Sequence, residues 1–247
     1  MVRPSPPTLV VITQVFPPDP AAVGAYLEDA SRELVKRGWR LRIFTADRGY
    51  DNPSIRFPRV TQGEGFEVRR LSASSAGKSS LRLRLTGMVG FLLQAGLRTL
   101  WQPDLAGIVV STSPPLAPGI ATVVAWIRRV PVIFWAMDLN PQQAVAAGLL
   151  SPRSWSVRAL GAVQRWVLRR AALTITLDSA MEQNLGREAP TSVRAVVPLW
   201  PRSDDLGRDY RSVLTEAGGD DANDHLTLLY SGNHSPVHPL ETVLLAA

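Results

Sequence analysis

The chain contains no cysteine, which excludes disulfides and thiolate-held metals. Its three histidines, His225, His234 and His238, all lie close to the carboxyl end. That supply argues against a zinc enzyme, whose ligands are mostly imidazole and thiolate. Lysine is nearly absent: Lys36 and Lys78 are the only two, so the net charge of +6 rests on arginine. Such a bias reflects genome composition as readily as function, yet a basic protein is drawn to anionic lipid or phosphorylated substrates. Nothing in the sequence points to a nucleic-acid partner. Apolar runs of the roughly 18 residues needed to span a bilayer are also missing. The longest candidate, residues 107–137, is cut by Pro114, Pro115, Pro118 and Pro131 and by Arg128 and Arg129. Residues 1–7 lack the apolar core of a secretory signal. The expected location is therefore the cytoplasm.

What is present is a chain of 247 residues, 45% hydrophobic and 19% charged, enough for one large core or a domain and a fraction. Residues 9–38 organise it. Residues 9–13 form a β-branched apolar run suited to a strand buried on both faces. The next ten residues carry Pro17, Pro18 and Pro20 and break both ladder and helix. Val23, Leu27, Ala30 and Leu34 then recur at helical spacing, Gly38 ends the helix, and residues 39–45 supply a second strand. The result is a βαβ unit, in which ligands sit at the carboxyl ends of the strands. Gly24 falls in the first helical turn. It is either a glycine that fits a tight turn or one that lets an anion approach the backbone N–H groups.

Further along, residues 47–65 read as a loop and residues 66–71 as a strand nearer the sheet edge than its centre. Gly77, Lys78 and Ser79 match the end of a phosphate-binding loop, but that motif needs a glycine where Ser72 stands and an apolar strand where Arg69 and Arg70 stand. Residues 81–101 mix apolar residues with Arg82, Arg84 and Arg98. They suit either a core helix with Val89, Leu92, Leu93 and Leu97 or Gly96 as its inner stripe, or a surface helix seated among lipid headgroups. Residues 104–111 form another strand, and Ser111 and Thr112 at its carboxyl end are placed to bond a ligand or to satisfy a turn. A helix over 119–127 and a strand over 132–135 follow. Asp138 then emerges where a buried strand gives way to a loop, as a ligand-facing carboxylate or as a cap. An arginine-rich helix over 154–171, a strand over 173–177, a helix opened by a Ser179/Glu182 capping box and a strand over 193–197 complete the pattern. Apolar strands alternating with helices predict an α/β, doubly wound, mainly parallel sheet.

The first loop with its helix, FPPDPAAVGAYLEDASRELVKRGWRLRIFT, the segment FWAMDLNPQQAVAAGLL and the SGN loop at residues 231–233 resemble, in order and spacing, family 4 glycosyltransferases of the GT-B type. The MDL reading is similar to a bacterial surface-polysaccharide branch, in which methionine stands where many members carry histidine. The resemblance implies a Rossmann-like acceptor-side domain over residues 1–201, a linker over 202–224, and the first strand, loop and helix of a truncated donor-binding domain over 225–247. It implies sugar transfer from a nucleotide-sugar donor, with retention, to a lipid-linked or saccharide acceptor, without cofactor or metal. No Asp-x-Asp pair is present to hold a metal. It further implies Asp138 as the catalytic-side residue, with Gly24, Ser111, Thr112, Gly232, Asn233 and His238 binding substrates. The implied alternative is a truncated, non-catalytic domain that binds acceptor or membrane. A dehydrogenase is disfavoured, since the first loop lacks Gly-x-Gly-x-x-Gly and no acidic residue ends the second strand.

Overall fold

A computed structural model describes residues 7–72, 81–148, 150–201 and 240–246. Strand β1 (Thr8–Ile12) is buried at every position, as its unbroken TLVVI run requires. Helix α1 (Ala22–Lys36) crosses back to β2 (Arg40–Ala46), and Gly38 ends the helix at φ 89°. The expected loop over 47–65 contains a short strand, β3 (Val60–Gln62), exposed throughout and antiparallel to β4 (Phe66–Leu71). Its lack of buried side chains explains why no apolar pattern announces it. Beyond β4 come α2 (Leu81–Leu100), β5 (Leu105–Ser111), α3 (Ala117–Arg128), β6 (Val132–Trp135) and the short α4 (Gln142–Ala146). Then follow α5 (Trp155–Arg170), β7 (Leu173–Thr176), α6 (Ser179–Glu188), β8 (Arg194–Val196) and a last helix, α7 (Glu241–Ala246).

The strands form one eight-stranded sheet in the order β3-β4-β2-β1-β5-β6-β7-β8, parallel except for β3. The predicted doubly wound α/β architecture is therefore present. Side chains alternate across it: Val10, Ile12, Ile108, Val110 and Phe134 face a core completed by α2, α3, α5 and α6. Leu9, Val11, Leu41, Ile43 and Val109 face a second core closed by α1.

Two local readings are corrected. In α2 the buried residues include Phe91, Leu92, Ala95, Gly96 and Thr99, so Leu92 and the Gly96 alternative lie on the inner stripe as expected, whereas Val89, Leu93 and Leu97 are exposed. The helix meets both the sheet and α3, so its inner face is turned toward its small residues. A methyl group at Gly96 would lie 2.8 Å from Ile120 of α3. The cap of α6 is Asp178, which accepts a hydrogen bond from Met181 N–H at 2.7 Å, rather than Ser179. Glu182 instead accepts from Arg194 Nε of β8 at 2.8 Å. The carboxylate one residue earlier reaches the open N–H groups, and this leaves Glu182 to the ion pair. The Gly77-Lys78-Ser79 run, the linker over 202–224, and Gly232, Asn233 and His238 lie outside the described residues.

Candidate active site

The loops at the carboxyl ends of β1, β5 and β6 define the site, as parallel topology demands. The β1–α1 loop is proline-rich and makes few hydrogen bonds within itself, Asp19 N–H to Phe16 O (3.2 Å) among them, so neighbouring elements also hold it. Gln14 N–H donates to Ser113 O (2.8 Å) in the β5 loop, while Ala46 N–H and Thr45 Oγ1 of β2 donate to Gln14 O (3.1 and 3.0 Å). The guanidinium of Arg70, only 4% exposed, donates to Pro17 O (2.8 Å), Pro58 O (3.0 Å) and Thr61 Oγ1 (2.7 Å). It also lies 5.7 Å from the Phe57 ring centre, within reach of a cation–π contact. Burial lowers the Arg70 pKa from its ordinary value without removing the charge.

Asp19, in the same loop, is buried and accepts a hydrogen bond from Tyr50 N–H at 2.9 Å. Burial raises its pKa. The backbone N–H groups of Tyr50 and Ala21 oppose that shift, and the Asp51 charge adds to it. A carboxyl raised in the folded state contributes stability below its unfolded pKa and loses it as pH climbs through the folded value. Asp19→Asn carries no such loss. The melting temperature of Asp19→Asn relative to the parent should therefore rise between about pH 3.5 and pH 7. A gap that stays constant or shrinks over that interval would disprove the assignment.

Gly24 sits where α1 meets this loop. A Cβ there would lie 2.9 Å from Phe16 Cα and 3.0 Å from Phe16 N, and its own N–H donates to Ala21 O at 3.0 Å. The close approach it permits is thus to the chain's own loop. Ser111, fully buried, donates to Thr13 Oγ1 at 3.1 Å and so joins the ends of β5 and β1. Ser111 Oγ also accepts from Ser113 N–H at 3.4 Å, a bond within the turn that follows β5.

Thr112 differs from its neighbour. It lines a cavity of about 40 Å³ together with Asp138, Asn140 and Gln164, between the β5 and β6 loops and helix α5. That volume admits a water or a hydroxymethyl group rather than a sugar ring. Thr112 Oγ1 and Gln164 Oε1 are buried without a hydrogen-bond partner among the described residues, so the cavity wall offers polar groups to an incoming hydroxyl. Asp138 is half-buried at the end of β6, and Met137 before it is buried in the core on the α1 side. Met137, which the resemblance sets beside the acceptor, is thus an apolar core residue. The structure places Thr112 and Asp138 on one cavity, with Gly24 at the start of α1 and Ser111 at the end of β5 beside the adjoining loop.

Sequence reasoning missed Asn140, Gln164, Asp19 and Arg70. For Arg70 a signal exists. It shares its strand face with Phe66 and Val68, which are buried, so an arginine at that parity has to be buried too.

The solved structures similar in fold include sucrose-phosphate synthase from Thermosynechococcus elongatus, at TM-score 0.59 and 15% identity, matching 86% of this chain and 52% of that one. The UDP-forming α,α-trehalose-phosphate synthase from Burkholderia vietnamiensis is similar at TM-score 0.51 and 12% identity, over 87% of this chain and 54% of that one. Anabaena HepE in complex with UDP and glucose is similar at TM-score 0.50 and 11% identity, over 85% and 50%. At such identities the likeness is one of fold. The chain spans about half the length of these structures. No curated protein matches. The family described as glycosyl transferase 4-like domain matches residues 21–200, from the first helix to Trp200. This chain belongs to the glycosyl transferase 4-like family.

Proposed function

We propose that this chain is the acceptor-side half of a retaining glycosyltransferase. It moves a sugar from a nucleotide-sugar donor to a lipid-linked or saccharide acceptor during surface-polysaccharide synthesis, in the cytoplasm at the inner face of the membrane. The observation that carries the reading is the placement of Asp138 and Thr112 on one cavity at the carboxyl ends of β5 and β6, within the family-matched segment. Asp138 orients the acceptor or the transferring sugar, and Thr112 hydrogen-bonds it. Gly24 and Ser111 keep the adjoining loop in place against the substrates. Gly232, Asn233 and His238 open the donor side. The UDP and glucose held by the HepE complex fit a nucleotide-sugar donor here. Catalysis consists of positioning the two reactants and stabilising the departing diphosphate with backbone N–H groups and helix ends, tasks that need both walls of a cleft.

The test is release of nucleoside diphosphate from a panel of sugar nucleotides with lipid-linked and saccharide acceptors. The 247-residue chain should release none, and the same chain extended after Ala247 by a matched donor-side domain should release it. The product should keep the anomeric configuration of the donor, as read by NMR. Turnover by the unextended chain would refute the division of labour. Inverted product would refute retention.

A further inference from the structure

We infer that the outer faces of α2 and α3 form a docking surface for an anionic lipid bilayer. This deepens the reading above by naming the surface, and it rests on that reading only for the location of the acceptor. Along α2, Leu85, Val89, Leu93 and Leu97 recur every four residues and are each about half exposed, and Trp101 continues the ridge at 79% exposure. On α3, Val123, Trp126 and Ile127 are exposed as well. The two helices are neighbours, since Gly96 abuts Ile120 and the Arg128 guanidinium donates to the carbonyls of Leu100 and Gln102. Exposed aliphatic and aromatic residues at helical spacing on two adjoining helices are of the kind that marks an interaction site.

Charge identifies the occupant. Neither helix contains an aspartate or glutamate. Arg98 and Arg129 are exposed at the end that also carries Trp101 and Trp126. The nearest acid along the chain is Asp104, in the turn after α2. An apolar stripe bordered by arginine and tryptophan matches the boundary between acyl chains and phosphate headgroups. A second copy of the chain would set these arginines against one another. No described helix is long and apolar enough to cross a membrane, so the pair lies along the surface.

The experiment is flotation of the 247-residue chain with phosphatidylcholine vesicles with and without about 30% phosphatidylglycerol. The chain should float with the anionic vesicles, bind at least about tenfold more weakly to neutral ones, and be released as salt rises from about 0.05 to 0.5 M. Arg98→Gln with Arg129→Gln should weaken binding by about fivefold per arginine. Leu93→Gln with Leu97→Gln should weaken it by about tenfold or more. All four side chains are exposed, so an unchanged melting temperature certifies the fold. Variants that bind like the parent, or binding indifferent to lipid charge and salt, would overturn the proposal. So would a parent that fails to float but forms a dimer broken by the leucine substitutions. Flotation uses neither donor nor acceptor, so its failure and the failure of sugar transfer are separate results.

Discussion

Asp138→Ala, introduced into the chain extended by a donor-side domain, is expected to lower sugar transfer by about a hundredfold or more. The expectation follows from where the carboxylate stands. Strand β6 is apolar and buried, and Asp138 is the first acidic residue beyond it, half-exposed and on the cavity that also carries Thr112. A charge in a partly dry site acts more strongly on a reacting hydroxyl or an electron-poor sugar carbon than it would in water. If it acts in the transition state, kcat falls while KM moves little. Asp138→Asn separates charge from shape: it should retain the binding of substrates and lose most of the rate. A half-exposed side chain contributes modestly to folding, so the melting temperature should fall by only a few degrees. Steady-state kinetics of diphosphate release decide the matter, and an Asp138→Ala enzyme with parental kcat would remove Asp138 from the chemistry.

The second large effect is on stability. Gly24→Val is expected to destabilise the domain by about 3 kcal/mol or more, lowering the melting temperature by roughly 6–12 °C for a chain of this size. The nearest atoms to a new Cβ are Phe16 Cα at 2.9 Å, Phe16 N at 3.0 Å and Val15 C at 3.1 Å, all backbone. They cannot swing aside as a side chain would. Both residues are buried, and the loop around them is pinned through Gln14 and Pro17. Alanine at position 24 would gain about 1 kcal/mol of helix propensity, yet it meets the same contacts and should still lower stability, by less than valine. Thermal denaturation of the two variants checks the order, and a Gly24→Ala protein more stable than the parent would show that the loop yields.

The strands that carry the core were readable because burial on both faces leaves continuous apolar runs, as in residues 9–12 and 132–135. Strand β3 was not, because none of its three residues is buried. The misjudged face of α2 has a different origin. Hydrophobicity alone cannot distinguish Leu92, which enters the core, from Leu93 and Leu97, which do not. The choice depends on Gly96 and Ala95 admitting α3 and the sheet, a tertiary fact. At the candidate site, Asp138 and Thr112 could be proposed because each follows a buried strand at the end of a parallel sheet where ligands commonly bind, and both line one cavity. Gln164 could not, since it comes from the middle of an arginine-rich helix and reaches the cavity only through the packing of α5 on α3.

The buried guanidinium of Arg70 has a consequence for how the β1–α1 loop behaves. Proline residues donate no backbone hydrogen bonds, so a loop built from Pro17, Pro18 and Pro20, although stiff within itself, cannot anchor to its neighbours through N–H groups at those positions. Arg70 binds the carbonyl of Pro17 and that of Pro58 from a planar fork whose geometry is fixed. Two segments about forty residues apart in the chain thus share a single rigid fastening. Under the proposed function, substrates reaching this loop would meet a wall whose ordering cost was met during folding, and little of their binding energy would be spent on arranging it. Any closing motion around them must then come from elements that this fastening does not reach.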